Sequence, residues 1–410
     1  MSSSISRPFI FRLLAILLIV VAAGATTYAV LASNKKVVDQ NIVFAPHTLL
    51  EGTWDSYKTE YIEASTGRTL DKQQNDITTS EGQSYTMLRA VWVSDKTTFD
   101  TSWGWTKEQL QRQDKLFSWR WGQKADKTYG ILTDVNGQNS ASDADGDIAL
   151  ALLMAADRWQ DATYLNEAKA IISSMYENEV VTVAGVPYLA SNNLEKQSSS
   201  PIVMNPSYLA PYAYREFAKV DTKHNWTAVV DSSYTFLAKS MSENLDKSKS
   251  DGMPPDWVLM DRTTGALSAP TTSGLTTNYS FDAMRTPWRI GLDYKWNKDT
   301  RSKDLLEKMS FLTDQWKNNG ALYSTYAHDG TIVKKDEVAE SYGTALAYYD
   351  VANPTVADEV YNQKIKTLYD QNTNAWKQDL TYYASNWVWF GIALHEDQLP
   401  NLAADLKVTK

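Results

Sequence analysis

Cysteine is absent from this 410-residue chain. That excludes a disulfide framework, a thiolate zinc site, an iron–sulfur cluster and a cysteine nucleophile. Histidine is nearly as scarce. His47, His224, His328 and His395 are the only four, and their spacing matches no metal-binding motif. An excess of basic residues is also lacking: 40 Lys and Arg face 49 Asp and Glu, a formal net charge of −9. This weighs against a nucleic-acid partner, which needs a basic face. No low-complexity linker divides the chain beyond about Asn41. Aromatics, by contrast, are plentiful and skewed, with 15 Trp and 23 Tyr against 10 Phe. Trp and Tyr join a flat apolar face to a polar tip, which suits either a wet sugar-stacking surface or a large core. Composition weighs the two readings equally.

Leu13 to Ala32 carries no charge and is long enough to cross a bilayer as a helix. Its dense block Leu13–Val21, followed by Ala23-Gly24-Ala25, also fits a cleaved signal peptide. Apolar character continues through Leu31, which favours an uncleaved anchor. The expected organisation is a cytoplasmic tail (1–12), a transmembrane segment (13–32), a linker (33–44), one large domain (45–400) outside the cell and a short tail (401–410). Secretion is the alternative. Arg7 and Arg12 balance Lys35 and Lys36, so the orientation rests on the shortness of the first tail.

Helix-period patterning predicts helices at 81–94, 106–119, 144–159, 161–178, 207–219, 223–243, 281–295, 300–319, 338–350, 355–371 and 385–396. Strand signals are short, at Val180–Val183 and Tyr129–Leu132. Many helices with short connections read as an all-α fold of six helical hairpins closed into an (α/α)6 barrel. An open solenoid is the alternative, although no fixed repeat is visible.

Three predicted helix starts carry acids. Asp143, Asp145 and Asp147 precede an apolar helix, and more oxygens are present than capping requires. Ser80 and Gln83 read as a capping box with Glu81 in the first turn. Ser280 reads as a cap, with Asp282 and Arg285 paired at i,i+3. Each is ordinary alone. In a ring of hairpins the inner helices run the same way, so the three starts line one mouth. Carboxylates converging there are the equipment of glycoside hydrolysis. A helix N-terminus lowers a carboxyl pKa, so a general acid there needs burial and a neighbouring charge such as Asp143 to raise it.

The stretch ASDADGDIALALLMAADRW (141–159) resembles the signature of glycoside hydrolase family 8. The resemblance continues at 79–87, 205–211, 252–257 (GMPPDW), 281–289 and 384–394, in the family's order, over roughly residues 45–400. It implies an (α/α)6 barrel and inverting endo-hydrolysis of a β-1,4-linked polysaccharide, with no metal or organic cofactor. By position, Glu81 matches the general acid and Asp282 the general base. Asp143 matches the aspartate that holds the distorted sugar, and Tyr208 a tyrosine beside the attacking water. Arg285, Tyr383, Trp119 and Trp121 are expected at the substrate site; Trp103, Trp105, Tyr323 and Tyr326 are further candidates for the cleft. Ser84 and Thr86 depart from the family, which has small residues there. A monomer acting on a cell-surface polysaccharide is expected. The rival readings are a glycan-binding accessory protein and another enzyme on the same toroid.

Overall fold

Side-chain caps set most helix starts. In the computed structural model, which describes residues 48–246 and 249–406, Thr48, Thr79, Asp95, Asp161, Asn225, Asp299 and Thr381 each accept a first-turn backbone N–H. The main helices are α1 (Leu49–Tyr61), α2 (Ser80–Trp92), α3 (Lys96–Gln109), α4 (Ser142–Arg158) and α5 (Ala162–Glu179). They continue as α6 (Pro211–Val220), α7 (Trp226–Ser240), α8 (Thr286–Asn297), α9 (Thr300–Lys308) and α10 (Phe311–Asn319). The last are α11 (Ala339–Ala352), α12 (Pro354–Val360) and α13 (Tyr382–His395).

Six of these form an inner ring. α2, α4, α6, α8, α11 and α13 each pack on the next, and α13 returns to α2. Behind them lie α3, α5, α7, α9 and α12, each following its inner partner in sequence; α1 backs α13, so the two ends of the described chain meet. This pairing is consistent with the expected (α/α)6 barrel. The fold is mostly rather than wholly helical. Short antiparallel ribbons edge it, among them β1 (Thr78–Thr79), β2 (Arg120–Gln123) and β3 (Tyr129–Ile131).

Several boundaries differ from the sequence reading. The helix expected at 106–119 starts instead at Lys96, because Asp95 caps it, and ends at Gln109. The chain then turns, and Trp119 exchanges backbone bonds with Asn139 and Ser80 on the way into β2. The 300–319 helix is two helices, α9 and α10, separated at Met309–Ser310. The 355–371 helix gives up its α-helical form after Val360 and ends in a two-residue strand at Tyr369. α1 lies in a stretch where no helix is expected. Thr79, not Ser80, caps α2, and Gln83 turns inward to the Thr69 N–H and Thr106.

Burial explains why the inner helices α11 and α13 show little amphipathic contrast. Every residue from Ser142 to Ala156 is buried, as are Ala339–Tyr349 and Ala384–Leu394. A helix enclosed on all sides has no polar face to alternate with. Tyr85, Trp288, Trp387 and Phe390 interlock between α2, α8 and α13. Nine of the fifteen Trp are buried, so most of the aromatic excess is core. α11 and α13 approach so closely that a Cβ on Gly391 would lie 2.0 Å from the Gly343 carbonyl oxygen, which only glycine tolerates.

The expected transmembrane segment, 13–32, lies outside the described residues. Among those residues, no helix is long and apolar enough to cross a membrane.

Candidate active site

The inner helices place their starts at one mouth, and a single arginine joins the acids there. Arg285, 1% exposed, ends the short turn before α8. Its Nη1 donates to Glu81 Oε2 at 2.8 Å and to Asp143 Oδ2 at 3.1 Å. Nη2 donates to Asp282 Oδ1 at 2.6 Å and to Ser207 Oγ at 2.8 Å. The guanidinium also sits 5.3 Å from the centre of the Tyr208 ring, and Nη1 reaches Tyr85 Oη at 3.3 Å. Glu81 and Asp282 therefore occupy opposite nitrogens of one rigid fork, an arrangement lysine could not supply.

Each acid has its own surroundings. The Glu81 side chain is 23% exposed, and Tyr382 donates to its Oε1 at 3.0 Å. Burial first, then the charges of Asp143 and Asp282, push its carboxyl up to about 7 despite Arg285. The helix terminus thus loses to desolvation, as a general acid requires. Asp143 is 3% exposed, and burial raises its carboxyl against the pull of Arg285 and Arg289. Its Oδ1 is buried with no hydrogen-bond partner among the described residues. Asp282 Oδ2 accepts from Trp257 Nε1 at 2.9 Å.

The three Asp of α4 serve three different neighbours. Asp147 forms a two-bond pair with Arg289 at 3.0 and 2.8 Å. Asp145 accepts the Phe117 N–H at 3.0 Å and interacts with the buried Glu179 carboxyl at the end of α5. Both side chains are fully buried, so ionising both would leave two like charges without solvent, and the pair is expected to hold one proton. Burial and then the Glu179 charge push Asp145 well up, while burial brings Glu179 to about 7. Folded-state values above unfolded ones mean the native protein binds more protons. The stability this pair contributes is complete below about pH 4, where unfolded carboxyls titrate, and is lost as pH rises through about 7. Glu179→Gln supplies a permanent donor. It is expected to narrow the drop in urea midpoint between pH 5 and pH 8; an unchanged drop would refute the shared proton.

Some expected site residues converge and others do not. Glu81, Asp143, Asp282, Arg285 and Tyr208 meet. Tyr383 joins them, its hydroxyl donating to the Phe281 carbonyl. Trp119 is partly exposed beside the start of α2; its Nε1 donates to the Asn136 carbonyl at 2.9 Å, and Arg120 lies 5.3 Å from its ring centre. Trp121 stacks on Tyr129 at 5.5 Å, meets Trp105 edge-on at 5.3 Å and has Arg68 at 5.0 Å. Trp103, Trp105 and Tyr326 are buried core. Tyr323 remains partly exposed and packs against Tyr326. Ser84 and Thr86 are fully buried and bonded inward, to the Glu81 carbonyl and to Thr69 and Tyr57, so they do not narrow the cleft. Tyr382, Trp257 and Ser207 also touch the cluster, and no local sequence pattern marks them for it. Trp257 and Ser207 lay within segments carrying the family resemblance, and only the fold shows what they touch.

Comparison with known proteins agrees with this architecture. The pattern of glycosyl hydrolases family 8 matches residues 25–395. Endoglucanase 2 of Ruminiclostridium josui is 28% identical over 331 residues, covering 78% of this chain and 66% of its own length. The endoglucanase of Escherichia coli K12 is 30% identical over 245 residues, covering 58% and 61%. The chain thus spans about two thirds of these curated relatives' length. The crystal structure of an endo-1,4-D-glucanase from Vibrio fischeri ES114 superposes with a TM-score of 0.71 at 27% identity, covering 84% of this chain and 95% of that one. The chain belongs to glycosyl hydrolase family 8.

Proposed function

We propose that this chain is an inverting endo-β-1,4-glycosidase acting on a glucan-like polysaccharide, with residues 45–400 as its catalytic domain. The observation that carries this reading is the arginine fork, with a carboxyl held protonated to about 7 on one nitrogen and a second carboxylate on the other. Glu81 gives its proton to the glycosidic oxygen as the C–O bond breaks. Asp282 takes a proton from the water that attacks the anomeric carbon, and Tyr208 flanks that water. The unpartnered Asp143 Oδ1 is an acceptor for a sugar hydroxyl, which would offset the roughly 1–3 kcal/mol cost of an unsatisfied buried oxygen. Trp119, at the rim, supplies an aromatic surface for the chain of sugars. The relatives named endoglucanase support a glucan as substrate. The apolar stretch 13–32 supports a cell-surface location, with the polymer outside.

A reducing-end assay of the full chain on carboxymethylcellulose, mixed-linkage glucan, xylan and chitosan tests this. Hydrolysis of a glucan with an inverted anomeric product by NMR is expected. Activity should fall as pH rises through about 7, where Glu81 loses its proton. Binding of a polymer without hydrolysis would favour the accessory-protein reading instead.

A further inference from the structure

The segment just before β4 (Val258–Met260) grips Asp282 in two ways. Asp256, 4% exposed, spends both its oxygens on the turn that carries Asp282. Its Oδ1 accepts the backbone N–H of Ser280 at 3.1 Å and of Ala283 at 2.8 Å, and its Oδ2 accepts the Ser280 hydroxyl. The next residue, Trp257, donates Nε1 to the Asp282 carboxylate itself at 2.9 Å. The gripping segment is fixed in turn, with the Asp256 N–H on the Asn278 carbonyl at 2.6 Å and the Trp257 N–H on Thr276 at 2.9 Å. Tyr208 meets the Trp257 ring edge-on at 5.7 Å, which holds the indole in place. A loop needs one or two such bonds to be satisfied. Here one dipeptide fixes the backbone on both sides of Asp282 and also one of its oxygens.

Keeping an acid at this place is costly. Burial and then the charge of Asp282 push the Asp256 carboxyl up to about 7. Asn keeps the Oδ1 acceptor for both backbone N–H groups, and its amide N–H can donate to the Ser280 hydroxyl oxygen, so Asn is the mild replacement and Ala the disruptive one.

We propose that Asp256 and Trp257 are a positioning pair for the Asp282 carboxylate, Asp256 fixing the turn and Trp257 the aim of the reacting group. The proposal rests on Asp282 being the base. The groups facing Asp282 are Arg285 and Trp257 in direct contact, with Glu81, Tyr208, Tyr383 and Asp256 acting through space. Tyr279 acts on Asp256 through space.

The test uses the full chain. Asp256→Ala should lower kcat about 10- to 100-fold with KM nearly unchanged, because misplacing a reacting group costs rate rather than binding. Asp256→Asn should restore most of it. Trp257→Phe keeps the packing and removes a donor that favours the ionised carboxylate, so the acid limb of kcat/KM should move up by about half to one pH unit. A wild-type kcat in Asp256→Ala, or an unmoved limb in Trp257→Phe, overturns the proposal. If Asp256→Ala does not fold, Trp257→Phe alone decides. If wild type hydrolyses none of the polymers, the functional reading fails separately. Then ¹³C-carboxyl NMR of Asp282 still decides on its positioning: Trp257→Phe must raise its titration midpoint, and an unchanged midpoint refutes it.

Discussion

Glu81→Gln is expected to lower kcat by about 10²- to 10⁴-fold, the contribution typical of a positioned general acid, with KM close to wild type. The amide preserves the shape that Arg285 and Tyr382 hold at 2.8 and 3.0 Å but has no proton to give a leaving oxygen. Two further readings check the role. The alkaline limb near pH 7 should disappear from whatever activity remains. A substrate with an activated phenol leaving group, which needs little protonation, should lose far less than the polymer does. If polymer and activated substrate lose activity equally, Glu81 is not the acid.

Replacing Arg285 should have the largest effect on stability. Its guanidinium is 1% exposed and bonds three carboxylates. Breaking a buried ion pair by removing one partner typically costs about 3–5 kcal/mol. Arg285→Met is expected to fall in or above that range, because several acids are left without their counter-charge. The sign of its pH dependence follows. Without the cation, Glu81 and Asp143 sit further above their unfolded values, so the folded state binds still more protons and loses stability as pH rises. The deficit against wild type in urea midpoint should therefore widen from pH 5 to pH 8. A deficit independent of pH would mean that Arg285 contributes only packing. Arg285→Lys should fall between, since an ammonium is a point charge that cannot span both sides of the fork.

The acidic starts show how far the sequence could be read. Asp143, Asp282 and Glu81 stood out because each opened a patterned segment, and the fold brings all three to Arg285. The local explanations for the same segments fared differently. Asp282 and Arg285 do pair at i,i+3, whereas Ser80 and Gln83 do not cap α2. Capping is a contest between adjacent side chains, and Thr79 wins it through its extended backbone. The helix at Lys96–Gln109 lies ahead of the expected 106–119 because Thr, Ser and Lys dilute its apolar pattern, while the 110–119 segment looks periodic but commits its backbone to β-type bonds with neighbours distant in sequence.

The lack of cysteine chemistry, the acidic helix starts and the dominance of buried helices were legible in the chain itself. Those follow from composition and from periodicities that span a few residues. The packing of distant segments decided that α1 backs α13 as the outer helix of the last pair, that Trp103 and Trp105 are core while Trp119 stays partly exposed beside the start of α2, and that Tyr382 and Trp257 touch Glu81 and Asp282. It also set the proton affinity of Glu81. That quantity is a sum of burial and of charges contributed by α4 and by the turn before α8, and no local stretch of sequence contains more than one of those terms.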